Sequence, residues 1–93
     1  MNKIDLFNEV LHLARPLAGS EVIKSTSLED SFLDLGVDSL DVTLIISYMC
    51  EIYGISNEDS MTFFPKTVGE LFDQIDKVKT KDPKTLDEAL GSL

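Results

Sequence analysis

Cysteine and histidine, the residues that many nucleophilic and metal sites require, are scarce in this sequence. The chain of 93 residues has one cysteine, one histidine and no tryptophan. A single cysteine, Cys50, excludes an internal disulfide and a site built from several thiolates, so a reducing, cytoplasmic setting is expected. The only available base for a nucleophilic serine, His12, falls on the polar side of a predicted helix. No catalytic residue and no metal site is therefore predicted.

Positive charge is also scarce. Eight Lys and Arg residues stand against 17 Asp and Glu residues, which leaves a formal net charge of −9. A field of that sign repels the phosphates of nucleic acids and of anionic lipids. We therefore expect neither nucleic acid nor membrane as a partner, and we expect proteins that present basic patches.

Long apolar segments are absent as well. Asp5 and Glu9 interrupt the first ten residues, and the longest later aliphatic run is Leu44-Ile45-Ile46. Neither an export signal nor a membrane span is predicted. A hydrophobic content of 43% suffices for one modest core, so we expect a single fold that is monomeric and free-standing.

The apolar residues that are present recur at helical spacing. This pattern predicts an all-α protein, a four-helix bundle with a long loop between helices 1 and 2 and a short extra C-terminal helix. The predicted domain is 1–78, and 79–93 is a charge-balanced tail that contains the short helix. The helices are expected at Lys3 to Leu17 with an end or bend at Arg15-Pro16, Ser39 to about Tyr53, Ser56 or Asn57 to Pro65, Thr67 to Val78, and Asp82-Pro83 to Gly91.

The long connection, residues 18–38, has no sustained periodicity. Loops of that length are usually functional or pinned to the core. We expect a turn of helix from Leu28 to Phe32 and a pinning role for four apolar side chains, namely Leu28, Phe32, Leu33 and Leu35.

The segment "GVDSLDV" opens the second helix. Asp38 is expected to cap it, with Asp41 three residues on in a relative of the capping box, and Gly36 allows a tight preceding turn. Ser39 is then either a plain helix-start residue or the acceptor of a modification. The G-x-S-x-G elbow of esterases, a calcium loop and a phosphate-cradling glycine loop are all missing.

The longer segment "DLGVDSLDV", Asp34 to Val42, resembles the prosthetic-group attachment motif of acyl carrier proteins. The segment "KTVGELFDQI" is similar to the last helix of that family, and the resemblance covers residues 3–78. It implies an acyl-carrier-protein-like bundle that is not an enzyme, in which Ser39 receives a 4′-phosphopantetheine arm from coenzyme A through a separate transferase and Mg²⁺. The arm's thiol would hold acyl groups as thioesters, and the bundle can shelter an acyl chain between its helices.

The exposed side of the second helix is the expected partner-binding face. We assign to it Asp38, Leu40, Asp41, Leu44 and Glu51. Leu44 stands where carriers of ordinary fatty-acid synthesis usually have an acid, which favours a dedicated carrier of a specialised fatty-acid, polyketide or lipid pathway. Its partners would be acyl-loading, condensing and acyltransferase enzymes. The alternative is that Leu44 packs into the core.

Two other functions stay open. Aminoacyl and peptidyl carriers share the fold and modification, but they commonly have Gly-His or Gly-Gly before the serine, so Val37-Asp38 favours acyl cargo. An unmodified acidic helical adaptor would need no free Ser39. The aromatic side chains Tyr48, Tyr53, Phe63 and Phe64 are expected in the core or in a pocket wall, with contact to an attached chain as the alternative for Phe64. Cys50 is expected to be packed or partly exposed, without a redox role.

Overall fold

Five helices make up the framework of the part of the chain that the structure describes. The structure, a computed structural model, describes residues 1–14, 24–25 and 27–93. The predicted all-α class is confirmed, with four helices up to Val78 and a short fifth. The predicted continuation of the first helix to Leu17 lies outside the described residues. The helices are α1 (Lys3–Ala14), α2 (Ser39–Tyr53), α3 (Asn57–Ser60), α4 (Val68–Val78) and α5 (Leu86–Leu90).

Helix α2 is the centre of the packing, because it contacts each of the other four helices. Its buried face carries Ile45, Met49 and Tyr53 at the predicted spacing, and Val42 and Ile46 lie half-buried at its margin. The apolar stripes of α1 and α4 complete the core. Their buried members are Leu6, Phe7, Val10 and Leu11 from α1 and Val68, Leu71, Phe72 and Ile75 from α4. No helix in the described part of the chain is long and apolar enough to cross a membrane.

The segment that leads into α2 is pinned by fewer side chains than predicted. Phe32 and Leu35 are buried, and the Phe32 ring stacks on Phe7 with 5.9 Å between ring centroids. Leu28 and Leu33 are exposed at 42% and 87%, so their predicted pinning role is wrong. The predicted helical turn from Leu28 to Phe32 is also wrong, because the backbone there forms hydrogen-bonded turns and a bridge to α4.

Backbone hydrogen bonds hold this segment against the start of α4. Ser31 and Thr67 form an isolated antiparallel bridge, and the Phe32 N–H donates to the Lys66 carbonyl at 3.1 Å. The Gly69 N–H donates to the Leu28 carbonyl at 2.7 Å. Because these bonds satisfy backbone groups of both segments, they place residues 28–32 beside residues 66–69 without a sheet.

The predicted capping signal of α4 is confirmed. The Thr67 hydroxyl accepts the Glu70 N–H at 3.1 Å, and the Glu70 carboxylate reaches back to the Lys66 N–H. Both contacts satisfy N–H groups that have no partner within the helix.

The tail contains the same Thr-x-x-Glu capping signal, and α5 therefore begins later in the chain than predicted. Thr85 caps α5 through the Glu88 N–H, and the Glu88 carboxylate accepts the Lys84 N–H at 3.1 Å. The predicted cap and first helical residue, Asp82-Pro83, precede the helix. A Thr-x-x-Glu cap satisfies two N–H groups, which is why the later position starts the helix.

The tail is docked onto the bundle. The Thr80 and Lys81 N–H groups both donate to the Tyr53 carbonyl, at 2.9 and 3.0 Å, and Ala89 of α5 is fully buried in the core. Leu86 and Leu90, the two leucines of α5, are only half-buried. The smallest apolar side chain of α5 therefore makes its closest approach to the bundle.

Two glycines have the left-handed backbone that their turns require, Gly36 at φ 76° and Gly54 at φ 62°. Gly54 ends α2 as predicted, and its N–H donates to the Cys50 carbonyl. A Cβ added to Gly54 would collide with the Thr80 hydroxyl of the tail, whereas a Cβ on Gly36 would meet nothing within 4 Å.

This difference predicts unequal costs for the same substitution. We expect Gly36→Ala to lower the free energy of unfolding by about 1 kcal/mol through backbone strain alone. Gly54→Ala should cost about 2–3 kcal/mol, because it adds the collision with Thr80 to the same strain. Urea unfolding of both variants measures the difference. Equal losses would show that the tail does not press on the end of α2.

Candidate functional site

The start of α2 is held by a reciprocal cap. The Asp38 carboxylate accepts the Asp41 N–H at 2.9 Å, and the Asp41 carboxylate accepts the Asp38 N–H at 3.4 Å. The predicted capping box is therefore confirmed. Aspartate replaces the usual Glu or Gln at the third helical position, and the short side chain still reaches the cap backbone.

Ser39 is the first residue of α2, and it is exposed. Its carbonyl accepts the Thr43 hydroxyl at 3.0 Å, but the structure gives its own hydroxyl no hydrogen bond to any described residue. Because Asp38 caps the helix, the serine hydroxyl is not needed for that purpose. The hydroxyl lies at the positive end of a 15-residue helix dipole, where an attached anion would be stabilised.

Two grooves flank α2. The first has a volume of about 340 Å³ and lies between α2 and α3. Its apolar lining residues are Ile46, Cys50, Ile55, Met61 and Phe63. The second has a volume of about 360 Å³ and lies between residues 31–37, the start of α2 and residues 65–66. Ser39 lines the second groove.

Most of the predicted partner face is exposed, with one exception. Leu40 and Leu44 are exposed at 70% and 39%, so the alternative that Leu44 packs in the core is not what the structure shows. Glu51 and Asp38 are exposed too. Asp41 is only 9% exposed. Its predicted place on the outer face is wrong, because the carboxylate turns back to the N–H of the cap residue.

The aromatic predictions hold for three of the four side chains. Phe63 and Tyr53 are buried, and Tyr48 is half-buried. Phe64 is 79% exposed, so its predicted packing is wrong. Its backbone N–H donates to the Gln74 side chain, which leaves the ring in solvent just before Pro65 and the second groove.

Sequence reasoning missed the residues that lie opposite Ser39. Leu33, Pro65 and Lys66 line the same groove as Ser39, although they lie far from it in the chain or outside its motif. The one available signal was the Thr-x-x-Glu cap at Thr67, since it fixes where α4 begins and hence where Lys66 lies. His12, the only histidine, is on the exposed side of α1 as expected.

The arrangement is that of a small all-α protein whose second helix opens on an exposed serine. Residues 4–75 match the family described as the phosphopantetheine attachment site. This match covers more than half of the chain, so the chain belongs to that family of carrier proteins, which bear covalently attached 4′-phosphopantetheine. Comparison with curated proteins and with solved structures finds no match.

Cys50 is packed rather than activated. It is 8% exposed, and burial raises the pKa of its thiol, with the Glu51 charge acting in the same direction and a hydrogen bond to Ser60 opposing it.

No three His, Cys, Asp or Glu side chains gather as metal ligands in the part of the chain that the structure describes.

The burial of Cys50 predicts that its thiol reacts slowly. In the unmodified protein near pH 8, its reaction with a disulfide reagent should be slower than that of a free exposed thiol by on the order of tenfold or more. The rate should rise with pH as thiolate forms, and it should reach the free value in urea. The absorbance of the thiolate released from the reagent measures the reaction rate. Rapid reaction of the folded protein would contradict the packed position.

Proposed function

We propose that Ser39 carries the phosphopantetheine arm and that the protein is an acyl carrier. The observation that carries this proposal is the division of roles at the start of α2, where Asp38 caps the helix and the Ser39 hydroxyl stays exposed. The family match supports the type of group, and the helix N-terminus favours the phosphodiester that attachment creates.

The attachment chemistry needs only an accessible hydroxyl from this chain. The Ser39 oxygen would bond to the phosphorus that bears the pantetheine of coenzyme A. The pyrophosphate bond would break, adenosine 3′,5′-bisphosphate would leave, and the serine proton would pass to the transferase. Once bound, the arm supplies a thiol that holds cargo as a thioester, and the carrier itself acts as a cosubstrate rather than an enzyme.

The apolar part of the first groove supports acyl cargo. It includes Ile46, Met61 and Phe63, and the polar part of the lining consists of Thr43, Ser47, Glu51, Asn57 and Ser60. Burial of an acyl chain there would contribute roughly 25 cal/mol for each Å² of apolar surface removed from water. The Val37-Asp38 sequence before the serine also favours acyl over aminoacyl cargo.

Partner enzymes are proposed to dock on the exposed part of α2. This surface consists of Asp38, Leu40, Leu44 and Glu51. Its charges would steer association with basic partners, and its leucines would supply apolar contact at the centre. The leucine at position 44 supports dedicated loading, condensing and acyltransferase partners of a specialised lipid or polyketide pathway.

The described tail packs on the bundle, and its role in the carrier is a separate proposal. We propose that residues 1–78 are the carrier unit and that 79–93 are an appended segment that stabilises the ends of α2 and α1, which α5 contacts. A monomeric, cytoplasmic protein agrees with the single buried cysteine and the acidic surface.

The attachment site is tested by intact mass after incubation with coenzyme A, Mg²⁺ and a broad-specificity phosphopantetheinyl transferase. We expect the mass of one arm on the unmodified protein and none on Ser39→Ala. Ser47→Ala, which changes another exposed serine of α2, is the matched control and should gain the arm. The modified protein should also gain one rapidly reacting thiol beside the slow Cys50.

The competing functions give different results. An unchanged mass of the wild-type chain would favour the unmodified adaptor, and an arm on Ser39→Ala would place the attachment elsewhere. Mass spectrometry of the protein isolated from its own host separates acyl from aminoacyl cargo by the mass on the arm.

The role of Leu44 is tested with enzymes of general fatty-acid synthesis. Leu44→Glu restores the acid usual in their carriers, so their acyl-transfer rate with the modified protein should rise roughly two- to fivefold. Leu13→Glu is the matched control, because Leu13 is an exposed helical leucine at 42% on α1. No change with Leu44→Glu, or an equal change in both variants, would contradict a docking role for this position.

A further inference from the structure

The second groove differs from the first because the candidate attachment residue forms part of its wall. Five apolar residues line it, Phe32, Leu33, Val37, Val42 and Pro65. Its polar lining residues are Ser31, Asp38, Ser39 and Lys66. Any group bonded to Ser39 therefore begins at the edge of an apolar groove of about 360 Å³, which is within the range of small-molecule sites.

The two sides of this groove are held together by the protein itself. The Phe32 N–H donates to the Lys66 carbonyl, and the Val68 N–H donates to the Asp30 carbonyl, both at 3.1 Å. Phe32 is in turn fixed by its stack on Phe7. The groove is consequently formed before any ligand enters it, which reduces the entropic cost of binding.

Lys66 is a cation that lines this groove. Between Lys24 and Lys66 the sequence contains eight acidic residues and no Lys or Arg. Three other lysines are held in ion pairs with Asp76 and Asp82 at the far end of α4 and in the tail, namely Lys3, Lys79 and Lys84. Lys66 has no ion pair with any described residue, and its side chain is exposed at the groove.

A phosphodiester on Ser39 would lie among acids. Asp38 lines the same groove, and the protein as a whole is strongly negative. The helix dipole offsets part of this repulsion, and the Lys66 ammonium is placed to offset more. The order of chemical groups along the arm matches the order of residues in the groove. The phosphate would lie at the polar edge formed by Ser39 and Lys66, and the apolar geminal dimethyl that follows it would reach the apolar lining. The amides of the arm come later.

We infer that the second groove is a docking site for the first part of the phosphopantetheine arm. This inference rests on the proposed attachment at Ser39. Lys66 pairs with the phosphodiester, and the geminal dimethyl packs on Leu33, Val42 and Pro65. The first groove lies farther along the same face of α2, at Thr43, Ile46 and Cys50. An arm docked in the second groove and an arm that delivers cargo to the first are therefore alternative states.

The groove makes Lys66 and Leu33 positioning residues for the arm. Neither is needed for the fold, because both side chains are exposed, and an alanine at position 66 keeps the backbone N–H and carbonyl that Glu70 and Phe32 use. Substitutions at these positions therefore change the docked population and leave the core intact.

The test uses the modified protein, labelled with ¹⁵N and ¹³C, after intact mass has shown a complete arm. We expect nuclear Overhauser contacts from the geminal methyls of the arm to the methyls of Leu33 and Val42. We also expect amide shift changes at Leu33 and Lys66 between the unmodified and modified forms. Contacts to Ile46 or Met61 instead, or no contacts, would overturn the docking site while the mass still supports attachment.

Variants of the modified protein then measure how much Lys66 and Leu33 each contribute to docking of the arm. In modified Lys66→Ala, the equilibrium constant for docking of the arm should be roughly two- to fivefold lower. Smaller amide shift changes at Leu33 would report this decrease. Lys77→Ala, an exposed lysine of α4 outside the groove, should leave the equilibrium constant unchanged. Leu33→Ser should lower the docked population as well, as read from the amide of Lys66. Its control Leu13→Ser, at an exposed leucine of α1 that lines neither groove, should leave the population unchanged.

The outcomes separate the two proposals. A chain that gains no arm overturns both the attachment at Ser39 and the docking site. A modified chain in which Lys66→Ala and Lys77→Ala behave alike overturns the role of Lys66, and one in which Leu33→Ser and Leu13→Ser behave alike overturns the apolar docking. Spectra of the unmodified variants establish that each one is folded.

Discussion

The hydrogen bonds between Asp38 and Asp41 govern the functional end of the molecule. A helix begins with N–H groups that have no partner in its own first turn, and in many proteins a serine side chain accepts one of them. Here two carboxylates satisfy the cap in both directions. Ser39, one residue after Asp38, therefore has no part in the cap. The proposed attachment chemistry depends on that division, because a serine oxygen that accepts backbone N–H groups would be turned toward the helix and away from a modifying enzyme.

The placement of the groove beside Ser39 depends on a second, weaker constraint. Residues 28–32 approach the start of α4 through single backbone hydrogen bonds rather than through a sheet, and the Phe32 ring anchors them on α1. This brings an exposed lysine next to the most acidic stretch of the sequence. The ion pairs between described residues gather at the opposite end, around Asp76 and Asp82. The sequence around Ser39 is acidic, which suits association with basic partners, and Lys66 lies beside it in the groove.

The tail contributes to the same framework from the other end of α2. The Tyr53 carbonyl accepts two N–H groups of the tail where α2 has ended, and Ala89 fills a fully buried position. Carbonyls at a helix end lack partners within the helix, so the tail satisfies one that water would otherwise solvate. Both ends of α2 are thus held by specific contacts, by the Asp38 cap at one end and by the tail beside Gly54 at the other. The helix that presents the serine is the best-supported element of the fold.

What the sequence determined by itself was local. The bounds of α2, its cap, its glycine stop and the Thr67 cap of α4 all follow from residues within four positions of one another, and such signals act whatever the rest of the chain does. The tertiary structure decided what depends on distant neighbours. Leu28, Leu33 and Phe64 are apolar yet exposed, whereas their chain neighbours Phe32, Leu35 and Phe63 are buried, and local spacing does not separate the two groups. The inward turn of Asp41 belongs with the local features, because its carboxylate accepts the N–H of Asp38 three residues earlier. Lys66 came to line the groove of Ser39 through backbone pairing between segments far apart in the chain, which no spacing in the sequence reveals.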